Sequence, residues 1–352
     1  MNPIVHYEFG SKKTLSSSLI GGTYASTDKY IGARLAANGM IYCVPFLATQ
    51  VLKIDPTTDA TSLIGSVYSS SLKYFDGVLA GNGMIYCAPY SATQVLKIDP
   101  TTDTTSLIGS AYGGGNKWQG AVLATNGMIY CLPADSLQVL KIDPTTDTTT
   151  LIGSSYSGSN KWQGAVLATN GMIYCVPSGS SQVLKIDPTT DTTTLIGSTY
   201  SGSFKWCGGQ LALNGQIYCI PYFDSGRVLK IDPTTDTTTL IGGNYIVNKS
   251  KYSGVFLGLD GFVYGVPNTN NTILKIDTAK SLTGMVYPDF GNSANKWWGG
   301  AFCNGYYYAA PRNSSRVLKI KVNTPDIVGG GAVMPDLASL SNSNYNKYYN
   351  KF

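Results

Sequence analysis

An Asn-Gly pair returns along this chain at Asn38-Gly39, Asn82-Gly83, Asn126-Gly127, Asn170-Gly171, Asn214-Gly215 and Asn304-Gly305, with Asp260-Gly261 in the sixth slot. The steps are 44, 44, 44, 44, 46 and 44 residues. The phrase VLKI keeps the same rhythm, beginning at Val51, Val95, Val139, Val183, Val228 and Val317, and as ILKI at Ile273. Residues 116–131 recur unchanged as 160–175. A period of this length confines the chain to architectures that stack one supersecondary unit on the next, in an open solenoid or a closed ring.

Within one unit the local patterns are all β. In the fourth, GAVLA (164–168) reads as strand a, and Asn170-Gly171 as a two-residue type I′ turn with positive φ at both central positions. MIYCVP (172–177) reads as strand b, VLKID (183–187) as strand c and TTTLIG (192–197) as strand d. Asp187-Pro188-Thr189-Thr190 makes a type I turn between c and d, proline presetting φ and the aspartate accepting a backbone N–H. A longer loop, SSYSGSNKWQ, leads to the next strand a, and no helical period is evident before residue 330. The pattern predicts an all-β, seven-bladed β-propeller of four-stranded antiparallel blades.

Ring closure supports that count. The seventh unit has no LIG strand after Lys321, and the spare one is TLSSSLIGG, residues 14–22, at the other end of the chain. It is expected to complete blade seven, whereas a solenoid would want a capping repeat at each end. The propeller is expected over residues 1–321, with blades of about 44 residues from 31 onward, and an extended C-terminal arm over 322–352.

The unit GAVLATNGMIYCVPSGSSQVLKIDPTTDTTTLIGS resembles the YVTN-type propeller repeat: a short strand, a DG or NG turn, a YV-containing strand, a VxVID strand and a closing apolar-Gly strand. The resemblance covers residues 14–321 and implies the propeller fold. It implies no single activity, because such propellers serve as enzymes, surface-layer proteins and docking modules. A related calcium-dependent lactonase propeller needs glutamate around its axis. Glu8 is the only glutamate here, so that activity does not carry over.

Composition narrows the chemistry further. Charged residues are 13% of the chain, against roughly 25% in an average globular protein. The single histidine is His6, so a His-anchored metal or a Ser-His-Asp relay has no repeated source of histidine. No metal and no cofactor are expected. Net charge is +5, spread rather than clustered, which argues against a nucleic-acid partner. No apolar stretch approaches the roughly 18 residues of a transmembrane helix, so no membrane insertion is expected. The opening MNPIVHYEFGSKKTL lacks the basic-then-apolar pattern of a leader. Cys43, Cys87, Cys131, Cys175 and Cys219 share one slot of strand b, filled by Gly265 and Ala309 in the other two units. They read as buried free thiols, since neighbouring sheets pack ~10 Å apart. A bond between Cys207 and Cys303 is left open. Without a disulfide framework, folding in a reducing cytoplasm is expected.

Candidate binding residues fall in three groups. Each d–a loop opens on a tyrosine (Tyr24, Tyr68, Tyr112, Tyr156, Tyr200, Tyr245, Tyr287) and ends on lysine plus an aromatic: Lys29-Tyr30, Lys73-Tyr74, Lys117-Trp118, Lys161-Trp162, Lys205-Trp206, Lys251-Tyr252 and Lys296-Trp297. At one mouth of the channel this ring could take a glycan or polyanion; alternatively the aromatics wedge between blades under lysine stems. The b–c loops on the same face diverge, and Tyr90, Tyr222, Phe223, Asp224, Arg227, Arg312 and Arg316 break the symmetry there. In the arm, Tyr345, Tyr348, Tyr349 and Phe352 are candidates to dock on a partner. The aspartates of the c–d turns, spaced Asp-x-x-x-Asp as in Asp55 and Asp59, could hold calcium but read first as turn caps.

These features favour a non-enzymatic structural or binding propeller, an interaction or display module whose partners are other subunits of a larger assembly. A virion component such as a phage tail, fibre or decoration protein is the expected setting. The alternative is a lectin-like or polyanion-binding propeller using the aromatic–lysine ring, with a glycan as ligand. A lyase or hydrolase built on Tyr, Lys and Asp is the third reading.

Overall fold

The computed structural model describes residues 16–243, 250–286, 293 and 295–321. These residues form twenty-eight strands in seven four-stranded antiparallel sheets, and no helix. Blade 4 is representative, with strand a Trp162–Leu167, b Ile173–Pro177, c Val183–Asp187 and d Thr192–Ile196, hydrogen-bonded in that order. Strand b is wholly buried, as its unbroken apolar run requires, while the threonine-rich strand d is the exposed outer edge.

Blade 7 closes the ring. Its strands a, b and c are Trp297–Cys303, Tyr306–Pro311 and Val317–Lys321, and its fourth strand is Ser17–Ile20, in register Ser17↔Ile320 through Ile20↔Val317. Residues 322–352, including Tyr345, Tyr348, Tyr349 and Phe352, lie outside the described residues, as do Tyr245 and Tyr287.

Hydrophobic cores lie between blades rather than within them. Trp162, for example, sits among Val122, Tyr130 and Leu132 of blade 3 and Cys175, Leu184 and Ile186 of its own blade. All seven cysteines are buried and free, Cys207 and Cys303 included. On the face of the a–b and c–d turns, a lysine–aspartate pair clasps five of the seven blades to the next. Tyr42 donates to Asp103 Oδ1 at 2.9 Å, Lys53 pairs with Asp103 Oδ2 at 2.6 Å, and Asn38 donates to the Pro100 carbonyl at 2.8 Å. The set repeats through Lys185–Asp236, and Lys319 of blade 7 reaches Asp59 of blade 1 at 2.8 Å.

Two local expectations need correction. Strand a begins at the aromatic residue, not after it, because Trp162 pairs with Pro177 before the strand bulges. The a–b turns of blades 1–6 are also not type I′. In blade 1, Gly39 N–H donates to Ala36 O and Ala36 N–H to Met40 O; Gly39 has φ 80° while Asn38 is not left-handed. That is a three-residue loop ending in a left-handed glycine. Only at Asn304-Gly305 are both φ values positive, 50° and 79°. Blade 7 has one residue fewer between its first aromatic and the Asn-Gly pair, which shortens the loop to two residues.

Candidate functional site: the axial cavity

Every strand a carries a β-bulge between its first and fourth residues, as between Trp162 and Ala165. A bulge bends its strand and re-aims side chains. Here its second and third residues face the axis. The third is glycine in six blades, always at positive φ: Gly32, Gly120, Gly164, Gly208, Gly254 and Gly299. The need is steric as well as torsional, since a Cβ on Gly164 would lie 2.7 Å from Gly208 Cα of the next blade.

The remaining blade breaks the rule. Blade 2 has Asp76 at the glycine position, with φ 61°. Its carboxylate accepts from Arg34 NH2 of blade 1 at 2.8 Å and from the Gly77 N–H at 2.9 Å, while Arg34 NH1 donates to the Ala33 carbonyl. Arg34 is 6% exposed, and its Nε–H is enclosed without a partner. Among the described residues these two are the only charged groups lining an axial cavity of about 120 Å³. Gln163, Gln210, Cys207, Tyr307 and the rings of Phe75, Phe256 and Trp298 complete its functional lining. Burial raises the pKa values of the Cys207 thiol and the Tyr307 hydroxyl, so both are neutral.

At the d–a end the cavity is capped. Ile31, Phe75 and Trp298, the second strand-a residues of blades 1, 2 and 7, cluster with Phe46, Tyr90 and Tyr222. Phe75 and Trp298 meet edge to face at 5.7 Å, and Tyr222 of blade 5 meets Trp298 at 5.6 Å. Arg312 lies over Trp298 at 4.6 Å and pairs with Asp28. The other four blades supply Gln119, Gln163, Cys207 and Ser253 at this level, so one half of the ring is apolar and the other polar.

Of the divergent b–c residues, Tyr90, Tyr222 and Arg312 therefore converge on the axis. The others do not. Asp224 accepts from the Ser203 N–H, Phe223 O accepts from Lys251, Arg227 donates to Leu240 O, and Arg316 O accepts from the Trp297 indole.

The aromatic–lysine ring lies inside the wall between blades and contributes nothing to the cavity lining. Tyr30, Tyr74, Trp118, Trp162, Trp206, Tyr252 and Trp297 are all buried, as are Lys29, Lys73, Lys117, Lys161, Lys205, Lys251 and Lys296. Each ammonium donates to backbone carbonyls. Lys161 reaches Ala134 O, Ser136 O and Gly158 O at 2.7–2.9 Å, tying the b–c loop of blade 3 to its own d–a loop. Burial lowers the pKa values of Lys73, Lys205 and Lys251 to about 8. In the c–d turns, Asp55 Oδ1 accepts from the hydroxyl and N–H of Thr57, which holds its pKa down at about 2. Among the described residues no three His, Cys, Asp or Glu side chains form a metal-holding group.

Arg34, Asp76 and Gln163 were not among the sequence candidates. Their signal was present, since Asp76 replaces a glycine found in six repeats and Arg34 stands where blades 2–4 carry Val78, Val122 and Val166. It is a departure within a column, visible only once the bulge shows that this column faces the axis.

A family described as a repeat of unknown function (DUF6923) matches residues 173–344. No curated protein matches the sequence. Solved structures share the fold over most of the chain. Virginiamycin B lyase from Staphylococcus aureus has a TM-score of 0.71 at 10% identity, covering 88% of this chain and 99% of that one. A catalytically inactive variant of that lyase with quinupristin gives 0.72 at 9% identity, covering 88% and 100%. Hydrazine synthase from Kuenenia stuttgartiensis gives 0.65 at 12% identity, covering 90% and 100%.

These similarities establish a seven-bladed propeller, the coarser part of the resemblance drawn from the repeat. They overturn the expectation of a non-enzymatic structural or display module in a virion: the lyases among them are enzymes, and nothing in the comparisons supports a virion or structural role. The propeller fold occurs in enzymes and non-enzymes alike, so the likeness fixes architecture and not activity.

Proposed function

We propose that this chain is a small-molecule-binding propeller that works through its axial cavity. The observation that carries the reading is the Arg34–Asp76 pair. It is placed inside the cavity wall, at positions where the repeat otherwise supplies glycine and mostly apolar residues. Arg34 is buried while the Asp76 side chain keeps 27% of its exposure; a half-buried ion pair in a cleft is weak as a stabilising device and is a reason to look for a site there. The aromatic cap beside polar Gln163 gives the cavity the mixed lining typical of small-ligand sites. The inactive Staphylococcus lyase with quinupristin adds support, because there the same architecture handles a small molecule.

The reading does not extend to the lyase reaction. That variant replaces a histidine by alanine, and the only histidine of this sequence, His6, lies outside the described residues. The test is a metabolite screen by thermal shift on the wild type and on Arg34→Val/Asp76→Gly, which restores the repeat's own residues. Ligands that act at the axis raise the melting temperature of the wild type alone. Hits that stabilise both proteins equally would overturn the proposal.

A further inference from the structure

The lining of the axial cavity specifies a class of ligand. Its two charges cancel, since the Arg34 guanidinium already holds the Asp76 carboxylate at 2.8 Å. The seven nearby ammonium groups are not available as counter-ions, because the lysines are buried and directed at backbone carbonyls. An ion entering this space would leave its hydration shell without gaining a free opposite charge, which is strongly unfavourable. A neutral ligand meets no such cost.

Two polar side chains in the wall are without hydrogen-bonding partners among the described residues. Gln163 is 5% exposed and Tyr307 3% exposed, yet neither makes a hydrogen bond to another described residue. Both residues line the cavity, and their polar atoms are not among the fully enclosed ones, so they remain open to an occupant of that space. Gln163 offers an N–H₂ donor and a carbonyl acceptor, and Tyr307 a hydroxyl. Phe75, Phe256 and Trp298 supply flat apolar walls, and Tyr307 stacks on Phe256 at 4.2 Å. The volume of about 120 Å³ falls short of the ~150 Å³ that admits a benzene ring.

We infer that the axial cavity takes a small, neutral, planar carboxamide, hydrogen-bonded as donor and acceptor to Gln163, with aromatic rings in the cavity wall. This rests on the reading of the cavity as the binding site, and adds the selection of neutral amides over ions of the same shape.

Acetamide, acetate and acetamidinium share one shape and differ in charge, so they separate the two claims. Saturation-transfer NMR on the full chain should show acetamide bound in the millimolar range, with both ions weaker by at least about tenfold. Gln163→Leu should abolish acetamide binding while the melting temperature and circular dichroism stay at wild-type values. Gln163→Glu, which leaves a net negative cavity, should turn the preference toward acetamidinium. Should acetate or acetamidinium bind the wild type as well as acetamide and depend on Gln163, the amide class is wrong and the axial site stands. Should none of the three bind, while larger metabolites still stabilise only the wild type in the thermal screen, the amide class again fails alone. Binding that survives Gln163→Leu undiminished also overturns the inference. If no metabolite distinguishes wild type from Arg34→Val/Asp76→Gly and none of the three probes binds, both readings fall.

Discussion

Asp76 is held in a left-handed conformation that six other blades reserve for glycine, and Arg34 is buried to receive it. Both features work against stability: the backbone conformation costs an L-residue roughly 1 kcal/mol, and burying the Arg34 guanidinium beside a carboxylate that is still 27% exposed offsets much of their attraction. The pair is therefore expected to behave as a unit. Asp76→Gly alone should lower the unfolding free energy by about 3 kcal/mol, because it strands a buried guanidinium. Arg34→Val/Asp76→Gly should recover that loss and equal or exceed the wild type. Urea denaturation of the four proteins in the cycle measures this, and a single Asp76→Gly variant as stable as wild type would show that the two residues are not coupled. Neither residue stood out in the sequence, which displays what repeats share more readily than which column faces the axis.

The clasp between blades is the element-scale device, and among the described residues its aspartate is missing at two junctions, from blade 5 to 6 and from blade 6 to 7, where Lys275 and Tyr264 turn to Asp260 of their own blade. The left-handed aspartate that receives the lysine is Asp59, Asp103, Asp147, Asp191 or Asp236, each with φ of 55–58°, and all but Asp59 also receive a tyrosine hydroxyl. Blade 6 has Ser281 there, with φ 54°, and the Tyr218 hydroxyl of blade 5 donates to the Thr278 carbonyl and accepts from Asn214 rather than meeting a carboxylate. Lys230 occupies the slot of Lys185 and faces no carboxylate in the pattern of the other blades. Ser281→Asp should complete the clasp and stabilise the protein by about 0.5–1 kcal/mol, and Lys230→Met in the same background should remove the gain. Calorimetry decides it, and an unchanged melting temperature would mean that the carboxylate adds nothing to the junction. Much at this scale was legible. The period and the strand order follow from repeated columns. The partner of each clasp lysine does not, because Lys53 and Asp103 lie fifty residues apart and meet only when two blades pack. The a–b turns show a subtler limit. Asn-Gly suits several loops, and what decides among them is one residue of strand length, 8 from Trp162 to Asn170 against 7 from Trp297 to Asn304.

At the scale of the whole molecule, closure depends on four residues. Ser17–Ile20 form the outer strand of blade 7, and Ile20 is buried among residues of blades 1 and 7. Truncation through Ile20 should leave Val317–Lys321 as a bare sheet edge, lower the melting midpoint by about 5 °C or more, and promote self-association visible by sedimentation. A truncated chain that melts like the full one would place the closing force elsewhere, in the Lys319–Asp59 contact for example. That fold was readable from a surplus strand at one end and a missing strand at the other. The cavity at its centre was not, since it belongs to no single repeat. The closure also sets an order of events during synthesis. Residues 17–20 leave the ribosome about 300 residues ahead of the strand they pair with. Six blades can assemble as they emerge, but the last must wait, with its first-made strand held free, until Lys321 is out. Long-range pairing of this kind is slow and exposes edges while it waits. The ring that gives the axis its enclosed space is thus also the latest part of the protein to exist, and no ligand can be held there by a chain still being made.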